Sequence, residues 1–236
     1  MVRANSPQAV FFDVGGTLFE SRPGAPEVYA TVLSRMGRPV SADEVAPVFQ
    51  RVWSELTQLH PRGLDRYHGI KGSEREWWGE FVRRVLGGLG HTAPWERTLD
   101  ELMDAFGKPE LWYVFPEVTE VLSRLRSNAV RLAVVSNWDS RLPGLLERLG
   151  LKVFFDELVV SAIEGVEKPE VAIFHRAAAR LGIEPERCLH VGDSPLDDYR
   201  GAESAGMRAV LVDRAGIFEN GYVRVTDLRG LYDFFG

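Results

Sequence analysis

The feature that most constrains the fold is a regular alternation of short apolar runs with helical stretches after residue 116. Apolar strands separated by helices of about ten residues are typical of a parallel sheet that helices cover on both faces. The pattern therefore predicts an α/β protein with a doubly wound parallel sheet. The predicted strands are Arg131 to Ser136, Glu157 to Ser161, Cys188 to Val191 and Arg208 to Val212, and the predicted helices are Pro116 to Arg126, Arg141 to Leu149, Pro169 to Leu181 and Leu196 to Ala205.

One strand stands apart from this alternation. The apolar run Ala9 to Phe12 ends at Asp13 and a Gly15-Gly16 pair, which is typical of a buried strand that enters a tight turn. Ser41 and Glu44 have the spacing of a capping box, which predicts a helix start. The candidate helices before residue 114 are Pro26 to Met36, Ser41 to Leu59, Ser73 to Leu86 and Pro94 to Phe106. We predict a core of residues 1–20 and 114–236, interrupted by an all-helical insertion at residues 21–113.

Charge and composition disfavour several classes of protein. The 236 residues carry a net charge of −6, which disfavours a nucleic-acid-binding surface. Cys188 is the single cysteine, so no internal disulfide can form, and its apolar neighbours indicate a buried structural thiol. The sequence has no recognisable signal peptide or transmembrane helix, so we expect no membrane partner and a cytoplasmic location. The sequence leaves the oligomeric state open.

Polar residues follow the ends of predicted strands, where ligand sites form in open parallel sheets. They are Asp13, Ser136-Asn137, Lys168-Pro169, and Asp193 with Asp198. Each of them has an ordinary structural role open to it, as a turn residue, a helix cap or a solvated charge. Their occurrence together at the strand ends of one sheet instead favours a shared site.

The residue types at these positions fit phosphoryl transfer. An aspartate such as Asp13 can attack phosphorus and form an aspartyl-phosphate. Asp13 and Asp193 offer the oxygen ligands that Mg²⁺ prefers, and Lys168 can balance the charge of the transferring group. The Ser136 hydroxyl and nearby backbone N–H groups can hold phosphoryl oxygens. The pattern therefore predicts a Mg²⁺ site beside a phosphate site.

These segments resemble, in order, the four motifs of the haloacid dehalogenase superfamily. Asp13-Val-Gly-Gly-Thr-Leu18 is similar to the first motif, Val134-Val-Ser-Asn137 to the second, Lys168-Pro169 to the third and Gly192-Asp-Ser-Pro-Leu-Asp-Asp198 to the fourth. Trp77-Trp78 and the stretch Ser136 to Leu142 are similar to the branch that includes haloacid dehalogenase-like hydrolase domain-containing protein three. The resemblance extends over nearly the whole chain. It implies a Rossmann-like core, a helical cap, Mg²⁺ and a small phosphorylated substrate.

The resemblance also implies a role for each matching residue. Asp13 becomes the nucleophile and a metal ligand, and Ser136 and Lys168 become further catalytic residues. Asp198 either ligates the ion or holds its water molecules, and Thr17 supports the first loop. The implied metal ligands are Asp13, Gly15 through its carbonyl, Asp193 and Asp198, and the implied phosphate-binding residues are Gly16, Ser136, Asn137 and Lys168.

Gly15 departs from the phosphatase motif, which has a second aspartate at this position. That aspartate protonates the leaving alcohol and then activates water, a contribution of about 10²–10⁴-fold. We therefore expect a phosphatase with weakened general acid catalysis. Two alternatives stay open, namely a nearly inactive phosphate-binding or interaction protein and a 2-haloacid dehalogenase-like hydrolase.

Residues of the insertion could alter this expectation. A phosphonate hydrolase requires a cap lysine, for which Lys71 and Lys108 are candidates, although solvated surface lysines are the more ordinary interpretation. A missing acid could be replaced from the cap by His60, Asp65, His68 or Glu74. Tyr67, Trp77 and Trp78 could shape a substrate pocket, but packing between helices is the commoner use of such aromatic residues.

Overall fold

The computed structural model describes residues 6–59, 63–68, 73–91, 94–218 and 221–235. The chain forms two compact units, of which the first comprises Met1–Glu20 with Val114–Gly236 and the second comprises Ser21–Tyr113. The strands are β1 Ala9–Phe12, β2 Phe19–Ser21, β3 Trp112–Val114, β4 Arg131–Ser136, β5 Glu157–Val160, β6 Cys188–Gly192, β7 Arg208–Val212 and β8 Arg224–Val225. The α-helices are α1 Ala25–Arg35, α2 Ala42–Gln58, α3 Glu74–Gly88, α4 Trp95–Gly107, α5 Val118–Ser127, α6 Leu142–Arg148, α7 Ser161–Glu164, α8 Val171–Leu181 and α9 Gly201–Ser204.

The first unit contains a parallel six-stranded sheet in the order β5-β4-β1-β6-β7-β8. All four residues of β1 are fully buried, because strands on both sides and helices on both faces cover them. Phe12, the last residue of β1, lies in register with Val134 of β4 and Val191 of β6. The segments that follow these three strands therefore leave the same edge of the sheet side by side. The predicted α/β class with a doubly wound parallel sheet is confirmed.

Three short strands were not predicted from the sequence. β2 and β3 pair in a separate two-stranded sheet, and β8 adds a two-residue edge to the main sheet. Two or three residues are too few to show the alternation that identifies a strand. They extend the predicted architecture without changing it.

The segment after β6 also differs from the prediction of one helix from Leu196 to Ala205. A π-helical segment, Pro195–Arg200, comes first, and α9 follows it. The Ser194 hydroxyl accepts a hydrogen bond from the N–H of Asp197 at 3.1 Å, while the N–H of Ser194 donates to the Asp198 carboxylate at 2.9 Å. These side-chain contacts begin the wider turn, a geometry that is frequent at functional sites.

The second unit consists of helices α1 to α4 and their connections, and its described residues from Ala25 to Leu111 form no strand. The predicted capping box is confirmed, since Glu44 N–H donates to the Ser41 hydroxyl at 3.3 Å and Ser41 N–H donates to the Glu44 carboxylate at 2.9 Å. Trp77 is 1% exposed and packs against Tyr67, Trp78 and Phe81. Helix packing therefore accounts for Trp77. Within the part of the chain described, no helix combines the length and the apolar character that crossing a membrane requires.

Candidate active site

Asp13 lies directly after β1 and is held from several sides. Its N–H donates to the carbonyl of Val191 at 2.9 Å, which fixes the start of the loop against β6. Burial raises the pKa of the Asp13 carboxyl, while the charge of Lys168 and hydrogen bonds from Lys168 and Ser136 lower it. Asp13 is 9% exposed and Ser136 is 1% exposed, so both residues are largely shielded from solvent at the ends of β1 and β4.

Lys168 connects two carboxylates in the interior of the first unit. Its Nζ donates to Oδ1 of Asp13 at 2.7 Å and to Oδ1 of Asp198 at 2.5 Å. Burial alone lowers the pKa of Lys168, but the charges of Asp13 and Asp198 outweigh burial and raise the pKa above its ordinary value. The lysine therefore stays protonated and compensates the negative charge around it.

Asn137 holds the backbone of Lys168 in place. Its Nδ2 donates to the Lys168 carbonyl at 2.9 Å, and its Oδ1 accepts from the Lys168 N–H at 2.7 Å. Both ends of the amide are thus committed to one peptide segment. These bonds use one of the two N–H groups of the amide, and a role of Asn137 in phosphate binding stays a prediction. Its position in the structure is that of a support for Lys168.

Asp198 is enclosed by hydrogen-bond partners on both of its oxygen atoms. Oδ1 contacts His190 Nε2 at 2.8 Å as well as Lys168, and Oδ2 accepts from the N–H of Ser194 at 2.9 Å. Burial raises the pKa of Asp198, but Lys168 and the His190 hydrogen bond lower it well below the ordinary range. Asp198 therefore keeps its negative charge and orients the lysine.

His190 was missed as a site residue by the sequence reasoning. It is fully buried in β6, where an apolar run surrounds it, and burial lowers its pKa so that the ring stays neutral. The signal that could have found it is a polar residue within an otherwise apolar strand, just before a predicted ligand site. Its contact with Asp198 makes it part of the support of Lys168.

Asp13, Asp193 and Asp198 form a cluster with the composition of a cation site. One carboxylate oxygen from each lies within 4.8 Å of the others. Burial, followed by the charges of Asp13 and Asp198, raises the pKa of Asp193 to about 7. Hard divalent cations prefer such oxygen donors, and a cation would relieve the repulsion among them. The donor set therefore fits Mg²⁺, and a role of Asp198 as a ligand or as a partner of the ion's water molecules stays a prediction.

The loop after Asp13 approaches the Asp193 carboxylate closely at Gly16. A Cβ built on Gly16 would lie 2.2 Å from Oδ2 of Asp193, and its φ of +69° also favours glycine. Gly15 has no such requirement, since a Cβ there would lie 3.4 Å from Trp138 Cζ3, an ordinary contact. Thr17 is fully buried, as a residue supporting the loop would be.

The remaining candidates show ordinary structural surroundings. Lys108 is exposed and pairs with Asp104 at 2.6 Å, which accounts for it as a surface lysine. Asp65 is buried and accepts from the N–H of Tyr67 at 2.9 Å, while the side chain of His68 is 52% exposed. Glu74 begins α3. His60 and Lys71 lie outside the described residues, and a catalytic role for any residue of the second unit stays a prediction.

Cys188 is buried and its thiol donates to the carbonyl of Glu184 at 3.4 Å. Burial raises the pKa of this thiol to about 12, with smaller contributions from nearby Glu186 and Glu184. A thiol that stays protonated is a poor nucleophile. The structure therefore agrees with a structural role for Cys188.

Comparisons with known proteins extend these observations. A family model described as haloacid dehalogenase-like hydrolase matches residues 7–206. Haloacid dehalogenase-like hydrolase domain-containing protein 3 of Mus musculus is 34% identical over 85% of this chain and 80% of that protein. Glyceraldehyde 3-phosphate phosphatase of Methanothermobacter thermautotrophicus is 32% identical over 87% of this chain and 85% of that protein. The solved structure of the HAD-hydrolase YfnB from Bacillus subtilis, bound to magnesium, shares the fold with a TM-score of 0.77 at 19% identity, covering 98% of this chain and 99% of that one.

Proposed function

This chain belongs to the haloacid dehalogenase-like hydrolase family, and we propose that it is a Mg²⁺-dependent phosphatase that acts through an aspartyl-phosphate. The observation that carries the proposal is the arrangement around Asp13. Its buried carboxylate contacts the Lys168 ammonium at 2.7 Å and shares a cluster of oxygen atoms with Asp193 and Asp198. A nucleophile beside a fixed cation and a site for a divalent ion is what phosphoryl transfer requires.

In the proposed reaction, Asp13 attacks the phosphorus of a small phosphorylated molecule and the bond to the leaving oxygen breaks. Lys168 balances charge on the phosphoryl oxygens, and the Ser136 hydroxyl donates to one of them. When bound, Mg²⁺ supplies additional positive charge at the oxygen atoms of Asp13 and Asp193. Asp198 and Asn137 act on Lys168, the first through its ammonium and the second through its backbone.

Gly15 narrows the class of substrate that this site can process. Without an acid at this position, the leaving oxygen must depart without a proton from the first loop. Aryl and acyl phosphates release stabilised anions, whereas alkyl phosphates release strongly basic alkoxides. The relatives named glyceraldehyde 3-phosphate phosphatase support phosphatase chemistry, but an alkyl substrate of that kind would be slow here unless another residue supplies the proton.

The cluster of carboxylates favours the phosphatase over a dehalogenase. Dehalogenation in this superfamily uses no metal, so it gives no reason for Asp193 to stand beside two other carboxylates. The nearly inactive phosphate-binding protein is the second candidate, because Gly15 removes the side chain on which fast turnover depends. Catalytic turnover of any phosphate ester distinguishes the two.

The test is a screen of aryl, acyl and alkyl phosphates together with 2-haloacids, each measured with Mg²⁺ and with EDTA. The proposal predicts release of phosphate from aryl or acyl phosphates that EDTA abolishes. Release of halide that persists in EDTA would identify a dehalogenase instead. Binding of phosphate without turnover of any substrate would identify the binding protein.

A further inference from the structure

Arg214, which follows β7 after Asp213, contacts the loop behind the nucleophile. Its Nε donates to the carbonyl of Gly16 at 3.1 Å, and its Nη2 donates to the carbonyl of Thr17 at 2.8 Å. These bonds connect the end of β7 with the loop after β1, at separations of 198 and 197 residues along the chain. One planar guanidinium therefore fixes two consecutive peptide carbonyls at once.

The guanidinium is itself fixed in orientation. Its Nη2 lies 2.7 Å from Oε1 of Glu117, an ion pair in which the glutamate side chain is only 4% exposed. Its central carbon lies 3.5 Å from the ring centroid of Phe115, a distance typical of a cation–π contact. A buried carboxylate requires a cationic partner, so Glu117 keeps Arg214 at this place.

The loop that Arg214 holds packs directly against Asp193. The two are near neighbours, because a Cβ built on Gly16 would lie 2.2 Å from Oδ2 of Asp193. A shift of the Gly16 backbone by a fraction of an ångström would therefore change the room around the Asp193 carboxylate. All described contacts of Arg214 are with the protein, and none is with Asp13, Asp193 or Asp198.

We propose that Arg214 is a positioning residue that sets the affinity of the carboxylate cluster for Mg²⁺ by fixing the spacing between Gly16 and Asp193. The inference rests on the proposed function, because it takes the cluster to be the ion's site. Arg214 acts through the loop backbone, so its effect is on the geometry of the site. Partners that orient metal ligands without touching the metal typically contribute about 10–100-fold to metal affinity.

The experiment is calorimetric titration of the whole protein with Mg²⁺ alone, which needs no substrate. R214M removes both carbonyl bonds and should weaken Mg²⁺ binding by about tenfold or more. R214K keeps the charge beside Glu117 but lacks the planar fork, so it should lie between R214M and the native protein. R229M is the matched control, because Arg229 pairs with Glu120 at 3.0 Å on the surface and its described ion pairs are with Glu120 and Asp227, outside the loop.

Thermal denaturation without Mg²⁺ distinguishes positioning from folding. A merely structural role would lower the melting temperature of R214M while the folded protein binds Mg²⁺ as the native one does, and this result would overturn the inference. If R214M does not fold, E117Q takes its place, since it keeps Arg214 but removes the charge that orients it. Weaker Mg²⁺ binding by E117Q would support the inference, and a lower melting temperature with native Mg²⁺ binding would overturn it. Native protein that binds no Mg²⁺ would instead contradict the proposed function itself.

Discussion

The ammonium of Lys168 lies 2.7 Å from the carboxylate of Asp13, although 155 positions separate the two residues in the chain. Asp13 follows β1, and Lys168 lies in the loop after β5 and α7. The parallel sheet brings the carboxyl ends of these strands to the same edge. The contact is nearly closed to solvent, with the lysine side chain 2% and the aspartate side chain 12% exposed. At such burial the charges interact strongly, and each depends on the other to remain ionised.

Removing the lysine should therefore destabilise the fold as well as the site. Lys168→Met leaves Asp13 and Asp198 buried without their cation, and we expect the free energy of unfolding to fall by roughly 3–5 kcal/mol. Urea denaturation without Mg²⁺ measures the change. Lys152→Met is the control, because Lys152 pairs with Glu147 at 3.0 Å in an exposed position and should contribute less than about 1 kcal/mol. Equal effects of the two substitutions would contradict the strong coupling.

Ion binding should require glycine at position 16, because an added side chain would press against Asp193. Gly16→Ala places a Cβ 2.2 Å from Asp193 Oδ2, so the loop or the carboxylate must move and Mg²⁺ affinity should drop. Gly150→Ala has the same backbone cost, since its φ is +70°, but its Cβ meets nothing within 4 Å. Calorimetric Mg²⁺ binding by both variants separates the clash from the backbone strain. A similar loss of affinity in both variants would refute the steric explanation.

Position 15 should accept an aspartate, the acid that the phosphatase motif has there. Its φ lies outside the left-handed region and a Cβ would have an ordinary contact with Trp138, so the backbone can accept an aspartate. We expect Gly15→Asp to raise kcat/KM for an alkyl phosphate by about 10²-fold, with a smaller gain for an aryl phosphate. Gly15→Asn, of the same size but without an ionisable carboxyl group, is the control. An equal gain in the asparagine variant would show that the effect is not acid catalysis.

Cys188 should make stability fall at high pH. The thiol has an ordinary pKa of 9.0, and burial raises the pKa to about 12 in the folded protein. The unfolded chain therefore loses this proton first, so the stabilisation is complete below about pH 9 and is lost as the pH rises toward 12. Urea midpoints measured from pH 8 to pH 10.5 should fall more steeply for the native protein than for Cys188→Ala, which has no thiol to ionise. Parallel slopes would mean that the buried thiol ionises as readily as a free one.

The sequence was informative where a pattern is long or a motif is local. The apolar residues of β1, β4 and β6 were enough to predict these strands. The spacing of Ser41 and Glu44 was enough to predict the capping box. The polar segments could be named because Asp13, Ser136 and Asp193 lie at or directly after the end of a recognisable strand, while Lys168 follows a strand and a loop. The sequence analysis favoured a surface position for Lys108, and in the structure it is exposed and pairs with Asp104.

What the sequence did not provide are contacts between distant side chains. Arg214 and Glu117 stand 97 positions apart and resemble any other surface charges until the fold pairs them. The hydrogen bonds of the Asn137 amide depend on the backbone of Lys168, 31 positions later, which a local sequence pattern does not reveal. The π-helical segment at Pro195–Arg200 depends on hydrogen bonds of Ser194 that an apolar pattern cannot reveal.

The central claim is that Asp13 carries the phosphoryl group, and trapping that group tests it most directly. The protein is mixed with an aryl phosphate and Mg²⁺, quenched in acid and digested, and mass spectrometry locates any added phosphoryl group. Because Gly15 offers no side chain to activate water, the aspartyl-phosphate should break down slowly and accumulate on the peptide that contains Asp13. The label should be absent in EDTA and in Asp13→Asn. Turnover of the substrate by Asp13→Asn, or a label on another residue, would contradict the account.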